Sequence, residues 1–362
     1  MLTKKEINEI KEHLEKSQNP LFLFDNDQDG LCSFLLLRRY IGRGRGVPIK
    51  SFPDLISDYF RKVKEFGSDC IFILDKPVIS EEFFKEAKKI NIPIVWIDHH
   101  FVDKKSVPSF VNYYNPLFNK SKIIEPTTDL CYQVTNRKED LWIAIIGCVS
   151  DKFIPDFYKE FEDKYPDLSF NSSKLKNPFD VYYKSEIGKI ARIIGFSLKD
   201  RTTSVVNMIR FLTKVKDPYE VLNESSQNRT MHQRFKQIDS KFQKLIQRAK
   251  SINNKNSKNF SDENLLFFQY SSELSISGDI SNELSYSFPE KTIVVLRIKG
   301  LKASISMRGK NVREIFSNSI KDLKDARGGG HEEAIGGQIH TSDVEKFLEN
   351  IKKSVNLYKK KD

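Results

Sequence analysis

Long apolar stretches are missing from this chain. The longest, residues 141–149, is far too short to cross a bilayer, and no charged-then-apolar leader opens the sequence. The expectation is therefore a cytoplasmic protein with no membrane attachment. Cysteine is scarce: Cys32, Cys70, Cys131 and Cys148 are widely spaced and form no CxxC pair. That argues against a zinc ribbon or a thiol redox motif and leaves buried free thiols in a reducing compartment. Histidine is sparse too, six residues in all, yet two of them are adjacent, His99 and His100. Acidic residues are outnumbered 49 to 60, and the net charge of +11 favours polyanionic partners such as nucleic acid. With 362 residues, 39% hydrophobic and 30% charged, the chain is globular and long enough for two domains. No internal repeat is evident.

What is present begins with an amphipathic helix within residues 1–20, carrying Ile7, Ile10 and Leu14 on one face. The apolar run 21–24 then reads as a strand that enters Asp25-Asn26-Asp27-Gln28-Asp29-Gly30 and a helix over 31–40. Three aspartates at alternate positions repel one another, and a cation makes the arrangement reasonable. An EF-hand would need Glu at the twelfth position, which counted from Asp25 is Leu36. Strand, acidic loop, helix is the better reading, with Gly30 making the tight turn. Arg38, Arg39, Arg43 and Arg45, interleaved with glycines, end that helix and read as a basic surface loop. Strands follow over 49–52 and 70–74, with a helix over 55–66 between them, and the second strand ends at Asp75. A helix over 80–90 leads to the buried strand 93–97, which ends in Asp98-His99-His100. This alternation predicts a doubly wound parallel sheet, and ligands of such sheets sit at the carboxyl ends of the strands. The buried segment 141–151 reads as a helix delivering Asp151 to the same crevice.

From residue 155 to 259 the periodicity is helical, with one long helix expected over 218–250 and a polar linker over 251–259. Strands over 265–268, 292–298 and 303–307 and a helix over 312–320 precede Arg327-Gly328-Gly329-Gly330-His331. Successive glycines let a backbone approach an anion closely, and Arg308 is placed to add a charged contact to phosphate.

In order along the chain, Asp25/Asp27/Asp29-Gly30, Asp75, Asp98-His99-His100 and Asp151 resemble the four motifs of DHH phosphoesterases. Gly328-Gly329-Gly330-His331, with Ser306-Met307-Arg308 upstream, resembles the signature of the DHHA1 substrate domain. Asn115-Pro116 and Pro126-Thr127-Thr128 resemble the stretch between the third and fourth motifs. Within the family the likeness is to RecJ-like nucleases of the compact archaeal type. Pyrophosphatase and nanoRNase relatives carry a histidine where this chain has Leu23, which favours the RecJ-like version.

The resemblance implies an α/β protein with a DHH catalytic domain over 1–216, a helical linker over 217–259 and a smaller α/β DHHA1 domain over 260–362. It implies two divalent ions, Mn²⁺ first and Mg²⁺ as the alternative, held by Asp25, Asp27, Asp29, Asp75, His99 and Asp151. Asp98 is then expected to orient His99, and His100 to face the scissile phosphate. Arg308, Gly328, Gly329, Gly330 and His331 would hold the substrate's end as the small domain closes over the crevice. The expected activity is exonucleolytic release of mononucleotides from single-stranded DNA or from short RNA or DNA oligonucleotides. Two alternatives stand beside it: a cyclic-dinucleotide or bisphosphate-nucleotide phosphodiesterase, and a catalytically inactive scaffold of the Cdc45 type. A homodimer, or replication and repair proteins, are the partners considered besides nucleic acid.

Overall fold

The computed structural model describes residues 1–51, 54–119, 124–254 and 264–359. They divide into two compact units, Met1–Phe235 and Lys236–Asp362. In chain order the first unit carries α1 (Lys4–Lys16), β1 (Pro20–Asp25), α2 (Gln28–Ile41), β2 (Arg45–Ile49), β3 (Asp54–Leu55), α3 (Arg61–Phe66), β4 (Cys70–Leu74), β5 (Val78–Ile79), α4 (Glu81–Lys89), β6 (Ile94–Ile97) and β7 (Val111–Tyr114). Seven helices follow: α5 (Thr127–Thr135), α6 (Leu141–Ser150), α7 (Tyr158–Lys164), α8 (Pro178–Lys184), α9 (Glu186–Ser197), α10 (Thr202–Lys214) and α11 (Pro218–Leu222). Helix α12 (Arg229–Asn254) runs across the division. The second unit adds β8 (Leu265–Ser271), α13 (Ser277–Ser287), β9 (Thr292–Lys299), β10 (Lys302–Arg308), α14 (Val312–Ile320), β11 (Arg327–His331), β12 (Ala334–His340) and α15 (Val344–Lys359). No helix among the described residues is long and apolar enough to cross a membrane.

The main sheet of the first unit has the order β2-β1-β4-β6-β7, and every pairing is parallel. Its central strands are apolar up to their carboxyl ends because both faces are covered. Alternation along each strand divides the core in two. Leu21, Leu23, Ile71, Ile73, Ile94 and Trp96 pack with Phe83, Phe84 and Ala87 of α4. On the other face Phe22 stacks on Phe72 at 5.1 Å, and Phe24 stacks on Phe34 of α2 at 5.0 Å. All four cysteines are buried and unpaired.

Several local expectations shift. The strand expected over 49–52 is β2, Arg45–Ile49, and residue 52 lies outside the described residues. Its Pro48 sits on an edge strand, where a missing N–H is tolerated. The helix expected over 55–66 is regular only from Arg61, after a 3₁₀ turn at Ser57–Phe60. The long helix expected over 218–250 is broken between α11 and α12. Asn228 explains the break: its amide donates to the carbonyls of Glu220 and Asn223, while its side-chain oxygen accepts from the Ser225 amide.

The arginine-rich segment is less superficial than its composition implies. Gly42 closes α2 with φ +72°, and Arg43 donates to the carbonyls of Glu15 and Ser17. Arg39 pairs with fully buried Asp140 at 2.7 Å and donates to the carbonyls of Leu212, Thr213 and Val215. Replacing it would leave a buried carboxylate and a helix end short of donors. Arg39→Ala is expected to lower the unfolding free energy by about 3 kcal/mol. Urea unfolding measures this as a lower midpoint at unchanged slope.

The second unit is built on a mixed sheet of order β11-β12-β10-β9-β8, in which only the β8–β9 pair is parallel. Phe267, Val294, Leu296, Ile305 and Met307 pack against Ile315 and Phe316 of α14 and Phe347 and Ile351 of α15.

Candidate metal centre

Register alone assembles most of the site. Phe24, Leu74, Ile97 and Tyr114 pair across β1, β4, β6 and β7. The residue that follows each of these is Asp25, Asp75, Asp98 and Asn115, one polar row across the carboxyl edge of the sheet. The ladder carries into that row, since Asp75 N–H donates to Ile97 O and Asp98 N–H to Tyr114 O. The site therefore lies where open parallel sheets place their ligands.

Around the row, oxygen and nitrogen atoms of Asp25, Asp27 and Asp75, of Asp75, His99 and His100, and of Asp29, His99 and Asp151 form three overlapping groups. Within each group the atoms lie within 4.8 Å of one another. His99 Nε2 is 3.4 Å from Asp75, 3.7 Å from Asp151 and 3.9 Å from Asp29. Asp151 caps the end of the buried helix α6. Asp27 caps the start of α2 by accepting the Gly30 amide, and Asp29 lies in that helix's first turn. Both Asp29 oxygens accept backbone amides, of Thr127 at 2.9 Å and Thr128 at 2.7 Å, so the carboxylate also caps α5.

The electrostatics follow from crowding. Burial, and then the charges of Asp29 and Asp27, hold the Asp75 carboxyl far above its ordinary range. Desolvation, and then Asp25 and Asp29, push Asp27 up to about 6, an effect that its water-facing edge tempers. Burial raises Asp29 against the counter-pull of His99. Burial would neutralise His99, but Asp75, Asp151 and Asp29 outweigh it and hold the imidazole well above its usual value. Asp75 also has φ +59°, an uncommon conformation for a residue with a side chain.

One expectation is corrected. Asp98 holds His100 rather than orienting His99: its Oδ1 is 2.8 Å from His100 Nδ1, and its Oδ2 accepts the His100 amide. The reason is local, because an aspartate readily closes a turn onto the residue two positions on. Burial would raise Asp98, yet the adjacent imidazoles, His100 first, bring it below the ordinary value. A carboxylate at Nδ1 favours the tautomer protonated there.

The DHH family N-terminal domain matches residues 21–149, and the DHHA1 domain matches residues 265–357. The chain belongs to the DHH family. No curated protein matches it in sequence. RecJ from Thermus thermophilus, solved with Mn²⁺, superposes with a TM-score of 0.69 at 14% identity, covering 97% of this chain and 54% of that one. An exonuclease RecJ bound to manganese gives 0.62 at 15% identity over 97% and 94%. CDC45 from Entamoeba histolytica gives 0.55 at 10% identity over 97% and 99%. At such identities the likeness is one of fold, and the chain spans about half the length of the Thermus protein.

The first unit contains one contributor that no sequence motif marks. Lys76, almost fully buried, donates to Asp25 at 3.0 Å and to the Ser51 carbonyl at 2.9 Å. Trp96 Nε1 fixes the Lys76 carbonyl at 2.9 Å. The only sequence signal was position, directly after an acidic strand end. Asn115 donates to the His100 carbonyl and to the Tyr113 hydroxyl, which lies 3.4 Å from Asp98. Gly30 is demanded by space, since a Cβ there would lie 2.5 Å from the Asp25 carbonyl oxygen. Gly30→Ala is expected to force β1 and α2 apart, destabilising the fold by about 2 kcal/mol and reducing any metal-dependent turnover at least about tenfold. Thermal melts and initial rates test both.

The DHHA1 unit places its expected residues in two settings. Arg308 ends β10, where its Nε donates to Asn282 of α13 at 2.6 Å and Nη1 reaches Ser306 at 3.2 Å. Ser306 in turn meets Ser281 at 2.8 Å. Asn282 and Ser281 lie on a helix the sequence reading did not anticipate. Gly328, Gly329 and Gly330 lie in β11, an edge strand paired only with β12, and His331 completes it. A side chain at Gly328 would meet the Phe316 ring at 2.6 Å, and Gly330 has φ +147°.

Proposed function

We propose that this protein is a divalent-metal-dependent phosphodiester hydrolase, a RecJ-like exonuclease that acts on single-stranded DNA or short oligonucleotides and releases mononucleotides. The observation that carries this reading is the set of three overlapping groups around the strand-end row, one of carboxylates alone and two of carboxylates with imidazole. The donor set is all oxygen and nitrogen, which suits Mn²⁺ or Mg²⁺. Three of its carboxyls are held above their ordinary range, chiefly by burial and mutual repulsion, and cations relieve such strain.

Asp25, Asp27, Asp29, Asp75, His99 and Asp151 would hold the ions. When bound, divalent ions supply the charge that offsets negative charge building on the phosphate and lowers the pKa of water. His100, whose Nδ1 lies 2.8 Å from Asp98, would hold a phosphate oxygen. Lys76 holds the Asp25 carboxylate in place through an ion pair of 3.0 Å. The Thr127 and Thr128 amides fix Asp29. In the second unit, Arg308 and the backbone of Gly328, Gly329 and Gly330 would grip a terminal nucleotide, whereas the His331 side chain lies outside what the structure describes.

Turnover of a short oligonucleotide series against a cyclic dinucleotide tests the reading. Preference for the linear series supports it, and preference for the cyclic substrate replaces it with the phosphodiesterase alternative. No turnover of either points to the Cdc45-type scaffold. His99→Ala is expected to abolish hydrolysis while leaving the circular dichroism spectrum unchanged.

A further inference from the structure

The first unit carries a groove of about 960 Å³ along the open edge of its sheet. It is bounded by β2 and Arg38 of α2, by the segment from Ile56 to Phe66, and by α10. None of the candidate metal-holding residues lines it. Its floor is apolar, formed by Phe34, Val47, Val205 and Ile209. Its rim is cationic: seven lining residues are Lys or Arg, and Asp58 is the one carboxylate among them.

Two of the seven serve the fold, Lys62 in an ion pair with Glu65 at 2.6 Å and Arg38 as a donor to the Gly44 carbonyl at 2.9 Å. Among the described residues Lys50, Arg61, Arg210 and Lys214 form no ion pair, and all four are exposed. Arg45, which also lines the groove, lies over the Phe66 ring at 4.8 Å, as arginine does on π faces. A concentration of like charge over an apolar floor, with aromatic Tyr59 and Phe66 in the wall, is the chemistry that holds a single strand's phosphates and base faces. A groove of this volume has room for a few nucleotides and not for a duplex.

An added protein strand is the rival occupant of an open sheet edge. It is disfavoured here because Pro48 offers no N–H within β2 and the rim is charged, two features that blunt strand addition. The groove also leads to the metal centre. Ser51 lines it just beyond the carboxyl end of β2, and the Ser51 carbonyl accepts from Lys76, whose ammonium also holds Asp25. The five residues of β2, Arg45–Ile49, carry the groove about 17 Å along the sheet edge.

We propose that this edge groove is a second holding site for single-stranded nucleic acid, one that tethers the body of a long substrate while its end is cleaved. The role of tether rests on the hydrolase reading above, whereas the binding itself does not. The test uses the full-length protein in EDTA, so that nothing is cut, with a fluorescent oligothymidylate of about 20 nucleotides. The charge reversal Arg61→Glu, Arg210→Glu and Lys214→Glu is expected to weaken binding at least about tenfold. It should also reduce the slope of log affinity against log salt by about 2. The charge-keeping pair Arg61→Lys and Arg210→Lys is expected to bind within about twofold of wild type, which separates charge from folding. Polyglutamate of equal charge should compete poorly.

Unchanged affinity in the reversed variant overturns the proposal, and so does polyglutamate competing as well as DNA, which would make the groove a site for acidic protein. Wild-type hydrolysis of a dinucleotide with Mn²⁺ reads the hydrolase reading separately. Loss of oligothymidylate binding in the variant beside an inert wild type would keep the groove and discard the hydrolase.

Discussion

Asp75→Asn is expected to abolish metal-dependent hydrolysis, by at least about a thousandfold, while leaving the metal-free protein as stable as wild type or more so. Asp75 belongs to two of the three overlapping groups, and its Oδ1 lies 3.4 Å from both His99 Nε2 and Thr127 Oγ1. Losing a shared cation ligand withdraws several kcal/mol of charge stabilisation, which is the thousandfold. Stability should move the other way. The wild-type carboxyl is buried beside Asp29 and Asp27 and is held far above its ordinary range, so an amide replaces a group already disfavoured as an anion. Asparagine also tolerates the φ of +59° at this position. Asp75→Ala keeps neither advantage and should melt lower than Asp75→Asn. Initial rates on an end-labelled oligonucleotide, with thermal melts in EDTA and in Mn²⁺, measure each part. Retention of more than about a tenth of the activity in Asp75→Asn would remove this residue from the chemistry.

The metal-free protein is expected to lose stability as pH rises from 5 to 8, opposite to the behaviour of most carboxylate-rich folds. A carboxyl whose folded pKa is raised binds more protons folded than unfolded, so stability falls from the unfolded value upward. Asp27 is pushed up to about 6, by desolvation and then by Asp25 and Asp29. Asp129, buried on α5 and facing Glu125 and Asp156, is pushed up to about 7, chiefly by burial. Both lie above an ordinary value of 3.8, so the loss begins near pH 4 and runs through pH 6 to 7. His99, held above 6.5, adds a contribution that is likewise lost as pH climbs through its folded value. Asp98 has the opposite sign, its benefit being lost only in acid below 3.8. A melting temperature in EDTA lower by about 5 °C at pH 8 than at pH 5 is the expected result. Cations compete with those protons, so stabilisation by Mn²⁺ should grow over the same range. A flat profile in EDTA would mean that the carboxyls are not crowded as described.

Much of the site was legible because parallel sheets write their function at strand ends. The runs before Asp25, Asp75 and Asp98 are apolar without interruption, and the first polar residue after each falls on one edge of the sheet. The unbroken apolar run over 141–149 also pointed to the buried helix that ends at Asp151. What was not legible depends on tertiary proximity. Lys76 looks like any lysine after a strand until its ammonium is found between Asp25 and Ser51. Arg39 and Arg43 read as surface charge because the carbonyls they serve are distant in sequence. Asp98 was assigned to the wrong imidazole because a turn of two residues outweighs the strand's alternation. Strand β7, Val111–Tyr114, is four residues long and only half apolar, and its pairing with β6 alone defines it.

The most direct test of the central claim is Mn²⁺-dependent digestion of single-stranded DNA and RNA oligomers, labelled at each end in turn. Mononucleotides should appear from one end only, in wild type and not in His99→Ala, and should vanish with EDTA. Intact oligomers under saturating Mn²⁺, from a folded protein that binds the ion, would contradict it.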